Sequence, residues 1–302
     1  MKLLTLPDDG LTGAVAAIKQ AKTSLDLTIF RFDRPEVEKA LYAAVARGVK
    51  VRALVAHTNR GGEKLLRKLE QRMLEAGVTV TRTGDELLRY HGKMLIVDKR
   101  TLHLMLYNYT ALDARSRSFA VIARNRALVA EAVRLFEADA TRQPFTPPAR
   151  QLVISPDNSR TMLTAFIKGA RKELLIYDPK VSDSSMVRLL EDRASKGVDV
   201  RILGSLGKRG KQLKAVKLAG TRLHARAIIR DGRQAFLGSQ SLRSTELDSR
   251  REIGLIVTES AVVRAVRAVF EKDWVACAPK EEKVEKKAAS ESSETGAVAA
   301  TA

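Results

Sequence analysis

His91-Gly92-Lys93-Met94-Leu95-Ile96-Val97-Asp98 returns 133 residues later as His224-Ala225-Arg226-Ala227-Ile228-Ile229-Arg230-Asp231. The chain holds only four histidines, so two in matched settings are not an accident of composition. In each copy a cation follows the histidine by two residues and an aspartate follows it by seven. Side chains in a strand repeat with period two, so each stretch predicts an imidazole and a cation on one strand face. A phosphate bound over that face would meet both.

The order His-x-Lys-x4-Asp resembles the signature of the phospholipase D superfamily, whose members bring two copies together within one chain or across a dimer. The similarity continues past the aspartate, where that family has Gly-Ser-x-Asn. The second copy reads Gly238-Ser239-Gln240-Ser241 and the first Met105-Leu106-Tyr107-Asn108, so each keeps part of the pattern and loses part.

The repeat extends beyond the motifs. Gly48-Val49-Lys50-Val51-Arg52 matches Gly197-Val198-Asp199-Val200-Arg201 at an offset of 149, as Ile18-Lys19 matches Ile167-Lys168. Apolar spacing predicts, in the first half, a helix over 10–22, a strand over 24–30, a helix over 35–47 with Pro35 near its start, and a strand over 49–55. The second half repeats this as a helix over 162–172, a strand over 173–177, a helix over 184–196 and a strand over 197–203. The offset falls from 149 to 133 at the histidines. The first half therefore carries about 16 extra residues, mostly within 60–70 and 81–90, placed to wall a substrate cleft. After each motif the halves converge again, Ser118-Phe119-Ala120 opposite Glu252-Ile253-Gly254 and Leu135-Phe136-Glu137 opposite Val269-Phe270-Glu271.

Alternating strands and helices imply an α/β fold: two duplicated lobes, each a mostly parallel mixed sheet flanked by helices. The boundaries expected are 1–147 and 148–276 for the lobes, and 277–302 for a disordered tail of Lys, Glu, Ala, Ser and Thr with no apolar period. The family resemblance implies that the lobes pair about a pseudo-twofold axis with the motif strands facing one cleft. A monomer would then complete the site.

Composition bounds the partners. The 302 residues include 54 basic and 35 acidic side chains, for a net charge of +19 and a pI near 10.2. An anionic partner is expected: nucleic acid, an anionic membrane surface or a phosphorylated substrate. The near-balanced tail is not the source of that charge. No run of 18 apolar residues exists, and Pro7, Asp8 and Asp9 interrupt the N-terminus, so the expectation is a cytoplasmic protein, peripheral at a membrane if it meets one. A single cysteine, Cys277, makes neither a disulfide nor a cysteine zinc cluster. Aromatic content of 5% argues against a base-stacking platform.

Two histidines at one phosphodiester divide the work. One attacks phosphorus and holds the phosphoryl group, while the other protonates the leaving oxygen and then activates water, so neither metal nor cofactor is called for. The resemblance implies catalytic roles for His91 and His224, with Lys93, Arg226, Asn108 and Ser239 on the nonbridging oxygens. It also implies a glutamate after the motif that orients the nucleophilic histidine. Glu252 stands there in the second half and Ser118 in the first, which favours His224 as nucleophile and His91 as general acid; the reverse assignment stays open. Asp98 and Asp231 read as structural ties of the motif strands. His57 and His103 have no matched partners in the second half and read as incidental. The leading expectation is a phosphodiesterase or phosphatidyltransferase acting on phospholipid headgroups. The alternatives are a nuclease using the same histidines and a noncatalytic anion-binding pseudoenzyme.

Overall fold

The computed structural model describes residues 1–58, 63–148, 151–207, 209–210 and 212–277. Residues 60–62 of the first extra segment and residues 278–302 of the expected tail lie outside that range. Within it, two sheets carry helices on their faces.

The expected helices and strands form with shifted ends, as Thr12–Gln20, Ser24–Ile29, Pro35–Ala46 and Lys50–Val55, then Ser159–Lys168, Glu173–Val181, Ser184–Ser195 and Asp199–Leu206. Pro35 sits in the first turn of its helix, where a missing donor costs least. Asp183 caps the helix Ser184–Ser195 by accepting from the Ser185 and Met186 N–H groups. Gly48 and Gly197 follow their helices at φ 84° and 83°, a left-handed conformation that releases the chain into the next strand.

The first sheet runs Lys2–Leu6, Ser118–Ala123, Thr101–Met105, Met94–Val97, Ser24–Ile29, Lys50–Val55, Thr79–Arg82. The second runs Lys214–Val216, Asp199–Leu206, Glu173–Val181, Arg226–Arg230, Gln234–Gly238, Arg250–Val257, Arg89–Tyr90, with Leu152–Ser155 also paired to Arg250–Val257. The expectation of mostly parallel sheets needs correcting. Parallel pairing joins the helix-linked strands of each half, Lys214–Val216 to Asp199–Leu206, and Arg89–Tyr90 to Arg250–Val257; the other strand pairings are antiparallel. The reason is connection length. Only Asp98 to Arg100 separates Met94–Val97 from Thr101–Met105, and only Asp231 to Arg233 separates Arg226–Arg230 from Gln234–Gly238. Such short links make hairpins, whereas a parallel pair needs a long crossover.

Each motif aspartate is the first corner of its hairpin. Asp98 and Lys99 have φ 52° and 51°, and Asp231 and Gly232 have φ 54° and 62°, the primed-turn geometry that suits twisted strands. The Arg100 N–H donates to the Val97 carbonyl at 2.9 Å and the Arg233 N–H to the Arg230 carbonyl at 3.0 Å, closing the turns. The Asp98 carboxylate accepts from the Lys22, Thr23 and Ser24 N–H groups, and Asp231 from those of Arg171, Lys172 and Glu173. Both carboxylates are held below the usual range by these donors.

Among the strands that escape the sequence reading, Lys2–Leu6 and Leu152–Ser155 are each the outer antiparallel partner of the strand after the motif hairpin. They too are equivalent at an offset of 149. The Thr5 N–H donates to the Asp9 side chain and the Ile154 N–H to the Asn158 side chain, both at 2.7 Å. The extra residues of the first half become a helix, Glu63–Glu75, an edge strand, Thr79–Arg82, and the pair Arg89–Tyr90.

That last pair belongs to the second sheet, so the halves are interleaved. One buried cluster runs across both lobes, from Leu25, Leu95 and Phe119 of the first to Tyr177, Leu237 and Phe270 of the second, and a smaller one lies on the second sheet's outer face around Leu163, Ile176 and Phe236. Among the described residues, no helix is long and apolar enough to cross a membrane.

Candidate active site

The motif strands meet at the seam between the lobes. The His91 and Gly92 N–H groups donate to the Arg251 carbonyl at 2.8 and 3.0 Å; the His224 and Ala225 N–H groups donate to the Arg117 carbonyl at 3.0 and 2.8 Å. Each lobe thus hangs its histidine on the other lobe's backbone, as an approximate twofold requires. Behind them, Arg117 donates to Asp273 and the Leu6 carbonyl, while Arg251 donates to Asp139 and the Ser155 carbonyl, a second reciprocal pair.

His91, Lys93 and His224 are buried, and Arg226 is nearly so. The Lys93 ammonium donates to the His91 carbonyl and the Arg226 guanidinium to the His224 carbonyl at 3.0 Å, so each cation is held beside its own histidine. Lys93 and Arg226 each also act on both imidazoles, which places the four groups in one electrostatic neighbourhood. Burial, reinforced by these cations, holds both imidazoles well below their ordinary range, so the free site favours neutral rings. Burial also brings Lys93 down to about 7. An entering anion would reverse both effects.

Glu252 overturns one expectation. Its carboxylate lies 2.8 Å from Nδ1 of His91, not against His224 of its own half, because the strand Arg250–Val257 reaches across the seam. Glu252 is fully buried and burial raises its carboxyl group. With a carboxylate accepting at Nδ1, the ring carries its proton there and leaves Nε2 as the lone-pair nitrogen. The ring of Phe30 meets His91 edge-on at a centroid distance of 4.8 Å.

His224 has a different neighbour that the sequence reading passed over. Its Nδ1 lies 3.3 Å from Oδ1 of Asp113, a buried residue of the first half, without hydrogen-bond alignment. Arg222 donates to the same oxygen at 2.7 Å. The signal was present in the repeat: Asp113 and Glu246 each stand 22 residues after their motif histidine. Each also accepts from the N–H five residues before it, Asn108 or Ser241, at 2.7 Å.

The expected phosphate ligands are placed here with their donors partly committed. The Asn108 amide donates to Asp113 Oδ2 at 2.6 Å, and the Ser239 hydroxyl donates to the Ile253 carbonyl at 3.4 Å while accepting from the Ile253 N–H at 3.1 Å. The other two histidines stand apart. His57 is exposed, its N–H on the Thr83 hydroxyl. His103 is buried on the strand Thr101–Met105, where burial brings it to about 4; it lines a cavity of about 540 Å³ that contains neither motif histidine.

The profile of the family described as cardiolipin synthase, phospholipase D-like domain, matches residues 14–140 and 163–274, most of both lobes. The chain belongs to that family. Among curated proteins, this phospholipase D-like chain is 29% identical to the mitochondrial cardiolipin hydrolase of Homo sapiens over 153 residues, 47% of this chain and 58% of that protein. It therefore spans little more than half the length of that relative. Among solved structures, the phospholipase D-like fold resembles polyphosphate kinase from Porphyromonas gingivalis, with TM-score 0.76, 18% identity and coverage of 89% of this chain and 46% of the other. It also resembles phosphatidylserine synthase from Haemophilus influenzae Rd KW20, with TM-score 0.69, 11% identity, and 90% and 85% coverage. At such identities the likeness is one of fold.

Proposed function

We propose that the chain is a metal-independent phosphodiesterase or phosphatidyltransferase that cleaves phospholipid headgroup phosphodiesters through a phosphohistidine on His91. The observation that carries this reading is the contact of His91 Nδ1 with buried Glu252 at 2.8 Å, which leaves Nε2 free to attack. His91 Nε2 forms a bond to phosphorus as the bond to the headgroup oxygen breaks, and His224 gives that oxygen its proton. Water or an acceptor alcohol then attacks phosphorus, His224 takes its proton, and the N–P bond breaks to restore His91. Lys93 and Arg226 balance charge on the nonbridging oxygens. This reverses the assignment favoured on sequence, because the carboxylate that orients a histidine belongs to the opposite half.

The lipid reading draws on the family's description and on the cardiolipin hydrolase relative. The positive charge of the chain suits an anionic bilayer as a substrate surface.

The test is a quench of the protein turning over a labelled phosphodiester, followed by mass spectrometry. An acid-labile phosphohistidine is expected on His91, lost in His91→Ala and retained in His224→Ala. Headgroup release from anionic liposomes in the presence of EDTA, without cleavage of single-stranded DNA, supports the lipid substrate; strand cleavage without headgroup release overturns it in favour of a nuclease. Transfer to an added alcohol marks the transferase. Turnover that survives in both single alanine variants rules out the two-histidine site.

A further inference from the structure

The two histidines are served unequally. His91 Nδ1 has a hydrogen bond to Oε2 of Glu252, whereas the Asp113 oxygen nearest His224 is taken by Arg222. Asp113 Oδ2 accepts from both the backbone and side-chain amide of Asn108, at 2.7 and 2.6 Å. Its Oδ1 is the oxygen within reach of His224 Nδ1, and that oxygen already takes the Arg222 guanidinium at 2.7 Å. His224 Nδ1 is left buried and without a hydrogen bond. Ser118 occupies the position equivalent to Glu252 and is too short to supply the missing carboxylate; its hydroxyl donates to the Leu106 carbonyl.

Arg222 is two residues before His224 and its side chain is 43% exposed, so it can turn toward an anion at the mouth of the seam. An arginine fork exchanges one carboxylate partner for phosphate oxygens at small cost. Its departure would leave Asp113 Oδ1 to a single donor.

We propose that Asp113 is the positioning carboxylate of His224, and that Arg222 withholds it until a phosphodiester draws the guanidinium away. The proposal rests on the two-histidine reading above and adds a residue and a coupling to it. Binding of substrate then does two things: Arg222 moves onto the anion, and the Nδ1–H of His224 turns onto Asp113, fixing the tautomer that lets Nε2 exchange protons with the leaving group and water. The charged groups facing His224 are Asp113, Arg222, Arg226 and Lys93.

Bis(p-nitrophenyl) phosphate tests it, because its leaving group departs without a proton and only the second step then needs His224. In Asp113→Asn a full burst of nitrophenolate is expected, followed by a steady rate lowered on the order of a hundredfold, with phosphohistidine accumulating on His91. Burst and steady state falling together would make Asp113 structural only, and no fall at all would also overturn the proposal. In Arg222→Gln the acid limb of the rate profile should move to higher pH, since His224 loses a cation and gains an unshared carboxylate. An unmoved limb would overturn it, and this variant decides if Asp113→Asn does not fold. Sulfate titration followed by histidine ¹⁵N spectra is independent of turnover. The His224 Nδ1–H signal should shift downfield in the wild type as it meets Asp113, and stay in place in Asp113→Asn. A wild-type signal that ignores bound sulfate sinks the coupling even where the wild type shows no phosphoenzyme, the outcome that would instead refute the two-histidine reading.

Discussion

At the scale of single residues, the site depends on what surrounds each titratable group. Glu252→Gln keeps the shape at His91 but replaces an acceptor oxygen with an ambiguous amide. The phosphohistidine on His91 should form on the order of a hundredfold more slowly, measured by quenched flow, while the fold stays intact by circular dichroism. Lys93 supplies a pH signature. Burial lowers it to about 7, so the free site gains its ammonium charge as pH falls through that value. Affinity for sulfate, which does not titrate here, should weaken by up to about tenfold per pH unit above 7, as calorimetry would show. Lys93→Met should abolish that dependence.

At the scale of elements, the hairpin corners hold the motif strands in register with the strands beside them. Each corner aspartate gathers three backbone N–H groups from a helix-to-strand junction. Asp98→Ala or Asp231→Ala should each cost about 1–3 kcal/mol, read as a lower urea midpoint at pH 7. Both carboxyl groups are depressed in the fold. Their stabilisation is therefore present above the ordinary aspartate value and lost as pH falls through the lower folded values; the alanine variants should lack that acid limb. A second recurrent tie joins strand to closing helix: Arg52 makes two bonds to Glu137, and Arg201 two to Glu271. The sequence repeat holds all four residues, but pairing them needed the strand-to-helix crossing.

At the scale of the whole molecule, the seam exists because the lobes pack closely enough to share a core. Gly92, between the histidine and lysine of the first motif, marks a close approach of the two lobes. A Cβ there would lie 2.5 Å from Ile253 Cδ1, a side chain of the opposite lobe. Gly92→Ala should cost about 1–3 kcal/mol and lower turnover by shifting His91 from Glu252, and Gly92→Ala with Ile253→Ala should recover part of both. A double variant no better than the single one would show that the seam does not close through this contact.

Much of this was legible in the chain itself: the duplication, the order of the helix-linked strands, the paired histidines and cations, and the two aspartates as ties of the motif strands. These are local properties, written in periodicity and in residues a fixed distance apart. Sheet direction was less so, because strands separated by hairpins and strands separated by helices read alike as apolar runs. Lys2–Leu6 and Leu152–Ser155 were hidden because each is only four or five residues long and finds its partner far along the chain. Which carboxylate serves which histidine depended on tertiary structure alone. Glu252 follows His224 by 28 residues yet touches His91, 161 residues away, because hydrogen bonds and charge act through space across a seam that only the folded lobes create.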